Sequence, residues 1–194
     1  MTPDVIVLNG GSSSCKTTIA RSLQALLPDP WLSISIDTLV DALPPDLDGG
    51  GEGVSYGDDG VVEVGDAFRR LESAWMAGVV ATARAGARIV FDDVFLQASE
   101  SQERLRGHLR GLDVVWVGVR CAPEVATARE RDRGDRSTGM AAHQAESVHR
   151  GVTYDLEVDS GRTSAVECAR RIVEHTTALQ LRGKTATSGG LDRR

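Results

Sequence analysis

An apolar run, Val5-Ile6-Val7-Leu8, leads directly into Gly10-Gly11-Ser12-Ser13-Ser14-Cys15-Lys16-Thr17. This is the spacing of a phosphate-binding loop, G-x-x-x-x-G-K-[ST], which requires a strand before it and a helix after it. Gly10, Lys16 and Thr17 hold their required positions, and Cys15 stands where the second glycine is expected. In such a loop, backbone N–H groups and the positive end of the next helix wrap a phosphate. Lys16 is then the contact to the outer phosphates and the Thr17 hydroxyl a ligand for Mg²⁺. The flanks agree. Ile19, Leu23, Leu26 and Leu27 share one helical face, and Pro28 and Pro30 end that helix. The rival is a glycine- and serine-rich turn with an incidental lysine, and it does not account for both flanks.

Five strand-like runs alternate with helical patterns: residues 4–8, 31–36, 88–94, 113–119 and 153–158. Most are continuously apolar, as strands buried on both faces of a parallel sheet are. Helices are expected over 67–85, near 99–110, from Pro123 to about 131, and over 164–177. The pattern predicts an α/β fold, a doubly wound parallel five-stranded sheet. One domain over 1–178 is expected, with 179–194 a disordered tail. Residues 44–66 interrupt the alternation. Gly57-Asp58-Asp59-Gly60 lies between Val54–Tyr56 and Val61–Val64, which reads as a small inserted hairpin or else a disordered loop.

With 194 residues and a net charge of -6, the chain has no dense basic run, so nucleic acid is not an expected partner. Cys15, Cys121 and Cys168 are far apart and without C-x-x-C spacing, which suggests neither a disulfide framework nor a zinc site. No apolar stretch approaches about 18 residues, and no signal peptide is legible near the start. A reduced, cytoplasmic enzyme without a membrane span fits this composition, and self-association is left open.

Ligands of open α/β sheets bind at the carboxyl ends of the strands. Asp37 follows the second strand. It is either a general base that orients an acceptor hydroxyl and takes its proton or the cap of a helical turn, and position alone leaves both open. Asp92 and Asp93 end the third strand. Asp92 is the expected Mg²⁺ partner, Asp93 the alternate, and strand alternation sends the two to opposite sides. Arg129, Arg131, Arg133 and Arg136 cluster around Gly134 and Gly139. They form either a lid whose arginines clasp phosphates or a solvated face paired with Glu130, Asp132 and Asp135. His143 and His149 read as surface or structural residues. Trp31, Trp75 and Trp116 read as core.

Beyond these motifs, the Ile36-Asp37 strand end, Trp75 in the long helix, Ala85-Gly86-Ala87-Arg88-Ile89-Val90 leading to Asp92-Asp93-Val94, and Val115-Trp116-Val117-Gly118-Val119-Arg120-Cys121 form an ordered series. Arg133-Gly134-Asp135-Arg136, Gly139-Met140-Ala141-Ala142, Val148-His149 and Tyr154-Asp155-Leu156-Glu157-Val158-Asp159 continue it. The whole series, over roughly residues 4–175, resembles the chloramphenicol 3-O-phosphotransferase family. The resemblance implies a P-loop kinase fold like that of nucleoside-monophosphate and shikimate kinases, with ATP and Mg²⁺ as cofactors. It implies transfer of the γ-phosphate to the primary hydroxyl of a small molecule, chloramphenicol, which inactivates the antibiotic. Carried onto this chain, Asp37 matches the catalytic base, residues 10–17 the ATP loop, and Arg133 and Arg136 the lid. Acceptor choice is expected to lie mostly in residues 38–66. Cys15 departs from the pattern. Its side chain crowds the phosphate unless it points away on helical backbone, which L-residues accept, and a thiol at a helix start is a candidate reactive group.

Overall fold

The computed structural model describes residues 2–57, 60–133 and 139–188, without the side chains of 133, 180 and 182–188. Five strands form one parallel sheet: β1 (Val5–Asn9), β2 (Trp31–Ser35), β5 (Arg88–Asp93), β6 (Val114–Arg120) and β7 (Leu156–Asp159). Their order is β2-β5-β1-β6-β7. The short β3 (Val54–Tyr56) and β4 (Val62–Val64) pair antiparallel as a separate hairpin, as the turn residues between them predict.

Strand alternation sorts the core into two layers. Ile6, Leu8, Val90, Val115 and Val117 face one side. There they meet Ile19 and Leu23 of α1 (Lys16–Leu26) and Cys168, Ala169 and Ile172 of α7 (Ala165–Ser188). Val5, Val7, Ile89, Phe91 and Trp116 face the other side. They meet Met76, Val79, Val80 and Ala83 of α3 (Asp66–Arg84) and Leu105 of α4 (Ser99–His108). Helices on both faces explain why these strands read as unbroken apolar runs. The sheet is therefore doubly wound. Trp31 and Trp116 are buried core residues, and the partly buried Trp75 packs against the core, obliquely on Phe91 with centroids 5.8 Å apart.

Several boundaries shift, and the last strand, expected from 153, begins only at Leu156. β2 stops at Ser35 because the Ser35 hydroxyl accepts the Asp37 N–H and caps α2 (Ile36–Asp41). The closing helix, expected over 164–177, runs through to Ser188. The same central strand that carries the phosphate-loop sequence also divides the connections. The chain leaves β1 for β2 toward one edge and leaves β5 for β6 toward the other. That crevice at the strand ends is where open α/β sheets take ligands.

Candidate active site

The loop from Gly10 to Cys15 joins β1 to α1 at this crevice. Gly11 is favoured by close packing. A Cβ there would meet the backbone carbonyl carbon and Cβ of Gln144 at 3.0 Å. This close approach brings α6 (Met140–Ser147) against the loop, and Gln144 Oε1 accepts the Ser12 N–H at 2.8 Å. Ser14 Oγ and Lys16 Nζ both donate to the Gly11 carbonyl, at 2.7 and 2.9 Å. The Ser160 hydroxyl donates to Ser14 O at 2.9 Å. The buried Ser13 hydroxyl has no hydrogen-bond partner, and the first N–H groups of α1 have no carbonyl a turn upstream. The loop is thus braced from outside while donors on its inner side stay available to an anion.

Cys15 does not adopt the helical backbone on which its tolerance is expected to rest. Its φ is 64° and ψ 19°, in the left-handed region. That conformation suits glycine and costs an L-residue roughly 1–2 kcal/mol. The missing glycine is therefore first a matter of backbone strain.

Lys16 is only 8% exposed and its Nζ stands 3.8 Å from Asp92 Oδ1. Thr17 Oγ1 donates to Asp92 Oδ2 at 3.0 Å. Asp92 is 4% exposed, which is costly for a charge unless it is paired. Alternation sends the two apart as expected: Asp92 meets Lys16 and Thr17 of α1, Asp93 feels the charge of Glu72 on α3, and both residues line one cavity at the end of β5. Burial pushes the Asp93 carboxyl from 3.8 up to about 7, and the nearby charges of Glu72 and Asp92 add to the rise. The Val94 N–H, donating to Asp93 Oδ1 at 2.7 Å, and Lys16 oppose it.

The cavity measures about 1250 Å³ and is lined by Ser12–Thr18, Asp37, Asp92 and Asp93 together with the β3–β4 hairpin. Asp37 lies in the first turn of α2. Its alternative as the helix cap is overturned, since Ser35 fills that place. Ile36, Val40, Val54, Val62 and Phe68 supply an apolar wall. Gly60, at φ 79°, has no room for a Cβ, which would come within 2.4 Å of the Gly139 carbonyl carbon. The hairpin therefore abuts the start of α6.

Of the arginine cluster, Arg129 on α5 (Pro123–Arg133) is built into the framework. Its Nη2 donates to Ser160 O at 2.7 Å and its Nη1 to Cys121 Sγ at 3.4 Å. Glu130, a candidate solvated partner for these arginines on sequence grounds, is instead 4% exposed. Its carboxylate accepts the N–H groups of Gly139 and Ala141 at 3.0 and 2.7 Å. It pins α5 to α6. The side chain of Arg133, and Arg136 altogether, lie outside the described residues. The sequence does not single out Gln144 or these bonds of Glu130, because nothing local marks an amide or acid on a helix as bound across the fold. His143 is exposed. His149 is buried, with Nδ1 2.6 Å from the Tyr154 hydroxyl, which also accepts from Asn9 Nδ2. Burial and the charge of Arg120 hold that imidazole down at about 4, so it serves this neutral network beneath the loop.

Among the described residues no group of three or more His, Cys, Asp or Glu could hold a metal ion. A hydroxyl and one carboxylate beside a phosphate cradle fit Mg²⁺, which keeps waters and takes few protein ligands alongside substrate phosphates.

The sequence profile of the family described as chloramphenicol phosphotransferase-like protein matches residues 3–177. The chain belongs to that family. The chain is 32% identical over 182 residues to a Mycobacterium tuberculosis protein named "Putative O-phosphotransferase Rv2636", covering 88% of this chain and 80% of that one. Its fold is similar to a gluconokinase from Sinorhizobium meliloti, with a TM-score of 0.59 at 18% identity over 92% of this chain and 94% of the other. It is equally similar to shikimate kinase from Acinetobacter baumannii, with a TM-score of 0.60 at 16% identity over 93% and 96%. These neighbours establish the P-loop kinase fold. The family member is a phosphotransferase enzyme acting on a small-molecule acceptor. Among its described residues no helix is long and apolar enough to cross a membrane.

Proposed function

We propose that the enzyme moves the γ-phosphoryl group of ATP to a primary hydroxyl on an acceptor whose body is largely apolar. Chloramphenicol or a related antibiotic is the class to which the family points. The observation that carries this reading is one cavity shared by Lys16, Thr17, Asp92, Asp37 and an apolar wall. The loop N–H groups bind the nucleotide phosphates, and Lys16 offsets charge on the transferring group. Thr17 and Asp92 are the residues that would hold Mg²⁺, which when bound neutralises charge on the phosphate oxygens. Asp37 orients the acceptor hydroxyl and takes its proton as the new O–P bond forms. The bond from γ-phosphorus to the bridging oxygen breaks, and its electron pair leaves with ADP. Arg133 and Arg136 are assigned by the family resemblance to the transferring group, and 38–66 to acceptor choice.

Mass spectrometry of chloramphenicol incubated with the enzyme and Mg²⁺-ATP tests this directly. A product heavier by one phosphoryl group, absent with Asp37→Asn, is expected. ATP binding without such a product keeps the phosphotransferase and removes chloramphenicol as its acceptor.

A further inference from the structure

Where α3 and α4 border the cavity, its wall changes character. Arg69, Glu72, Ser101 and Arg104 all line it, beside Asp93. Arg69 is engaged: Nη1 donates to Glu72 Oε2 at 2.8 Å and Nη2 to Gln97 Oε1 at 3.2 Å. Arg104 is not engaged in the same way. Its Nη2 donates to the neutral Ser101 hydroxyl at 3.1 Å, and among the described residues no carboxylate lies within ion-pair distance of it. Burial, with the like charge of Arg69 close by, pulls its guanidinium below the ordinary value, while Glu72, Glu100 and Asp93 act on it more weakly. A partly buried guanidinium whose one printed bond is to a neutral hydroxyl keeps donors to spare. Its planar fork of donors matches an anionic oxygen group arriving with a ligand.

We propose that the acceptor carries an anionic oxygen group, a carboxylate or a phosphate, and that Arg104, with Arg69 beside it, receives that group while the apolar wall holds the rest. This rests on the phosphotransferase reading alone and sets an anionic acceptor in place of chloramphenicol, which carries no anionic group, so the mass-spectrometric test above also separates the two acceptors. An acceptor of this class has three parts: an apolar body, a hydroxyl for Asp37, and a negative group for the arginines.

Three probes of one shape separate the contributions: para-hydroxymethylbenzoate, para-hydroxymethylphenylphosphonate and the neutral para-hydroxymethylbenzamide, each titrated calorimetrically into the ATP-analogue-loaded enzyme. At least one anionic probe is expected to bind roughly tenfold or more tighter than the amide, and which anion wins tells carboxylate from phosphate. Arg104→Gln is expected to erase that preference and Arg104→Lys to keep part of it, with ATP-analogue affinity unchanged in both. Equal affinity for all three probes, including binding by none, overturns the proposal. So does a preference that survives Arg104→Gln, or a loss confined to nucleotide binding. A wild-type enzyme that binds the nucleotide no better than Lys16→Ala refutes the kinase reading instead.

Discussion

Thr17 Oγ1 reaches Asp92 Oδ2 at 3.0 Å, tying the first turn of α1 to the end of β5. A hydroxyl and a carboxylate this close share a position that one divalent cation can occupy between them and a phosphate. Thr17→Ala is expected to raise the Mg²⁺ concentration for half-maximal turnover by about tenfold or more, the scale on which losing a metal partner acts. Titrating turnover with Mg²⁺ at fixed ATP measures it, and an unchanged midpoint removes Thr17 from the metal site. Excess chelator should abolish transfer, and Mg²⁺ should restore it.

Cys15 sits at φ 64°, so Cys15→Gly should stabilise the enzyme by about 1 kcal/mol. For a chain of this size that is a rise of roughly 2–4 °C in thermal midpoint. Scanning calorimetry with and without ATP checks it. Equal midpoints in the two proteins would show that the loop carries no such strain.

Glu130 holds two backbone N–H groups at the start of α6. Removing a buried charged acceptor leaves those donors unpaired, at roughly 1.5–3 kcal/mol for each bond lost. Glu130→Ala is expected to lower stability on that scale. Amide hydrogen exchange at Ala141 should quicken more than exchange at Ile6 in the central strand. Uniform quickening along the chain would show a general destabilisation rather than a released helix start.

Asp93 gives the enzyme a pH signature. Its folded carboxyl titrates at about 7 against 3.8 when solvated. Between those values the folded state holds a proton that the unfolded chain has lost, so stability falls as pH rises through this window and levels off above about 7. Every pH unit crossed inside the window removes about 1.4 kcal/mol. Asp93→Asn should flatten the slope between about pH 4 and 7, read from urea midpoints. A slope that persists in Asp93→Asn assigns it to other groups.

The strands and the loop are legible in the sequence because their signals are local. An apolar run of five or six residues, a glycine and a lysine at fixed spacing, and an acid at a strand end need no knowledge of the rest of the chain. Alternation likewise separates Asp92, on the α1 side, from Asp93, on the side of α3. The conformation of Cys15 is hidden because the same residue suits a helix start and a left-handed turn on paper. Gln144 and Glu130 are invisible for another reason. Their partners, Ser12, Gly139 and Ala141, become partners only after α6 docks on the loop.

The phosphate loop and the apolar hairpin wall open into one continuous cavity, and this shape invites a single inhibitor rather than two. An acceptor-like head joined through a phosphate chain to adenosine would meet both surfaces at once. Its second half would arrive at an effective concentration set by the linker, a gain of roughly 10²–10⁴ over either half alone when the length fits. The length of the tightest such compound would be a molecular ruler for the gap that the transferred phosphoryl group crosses.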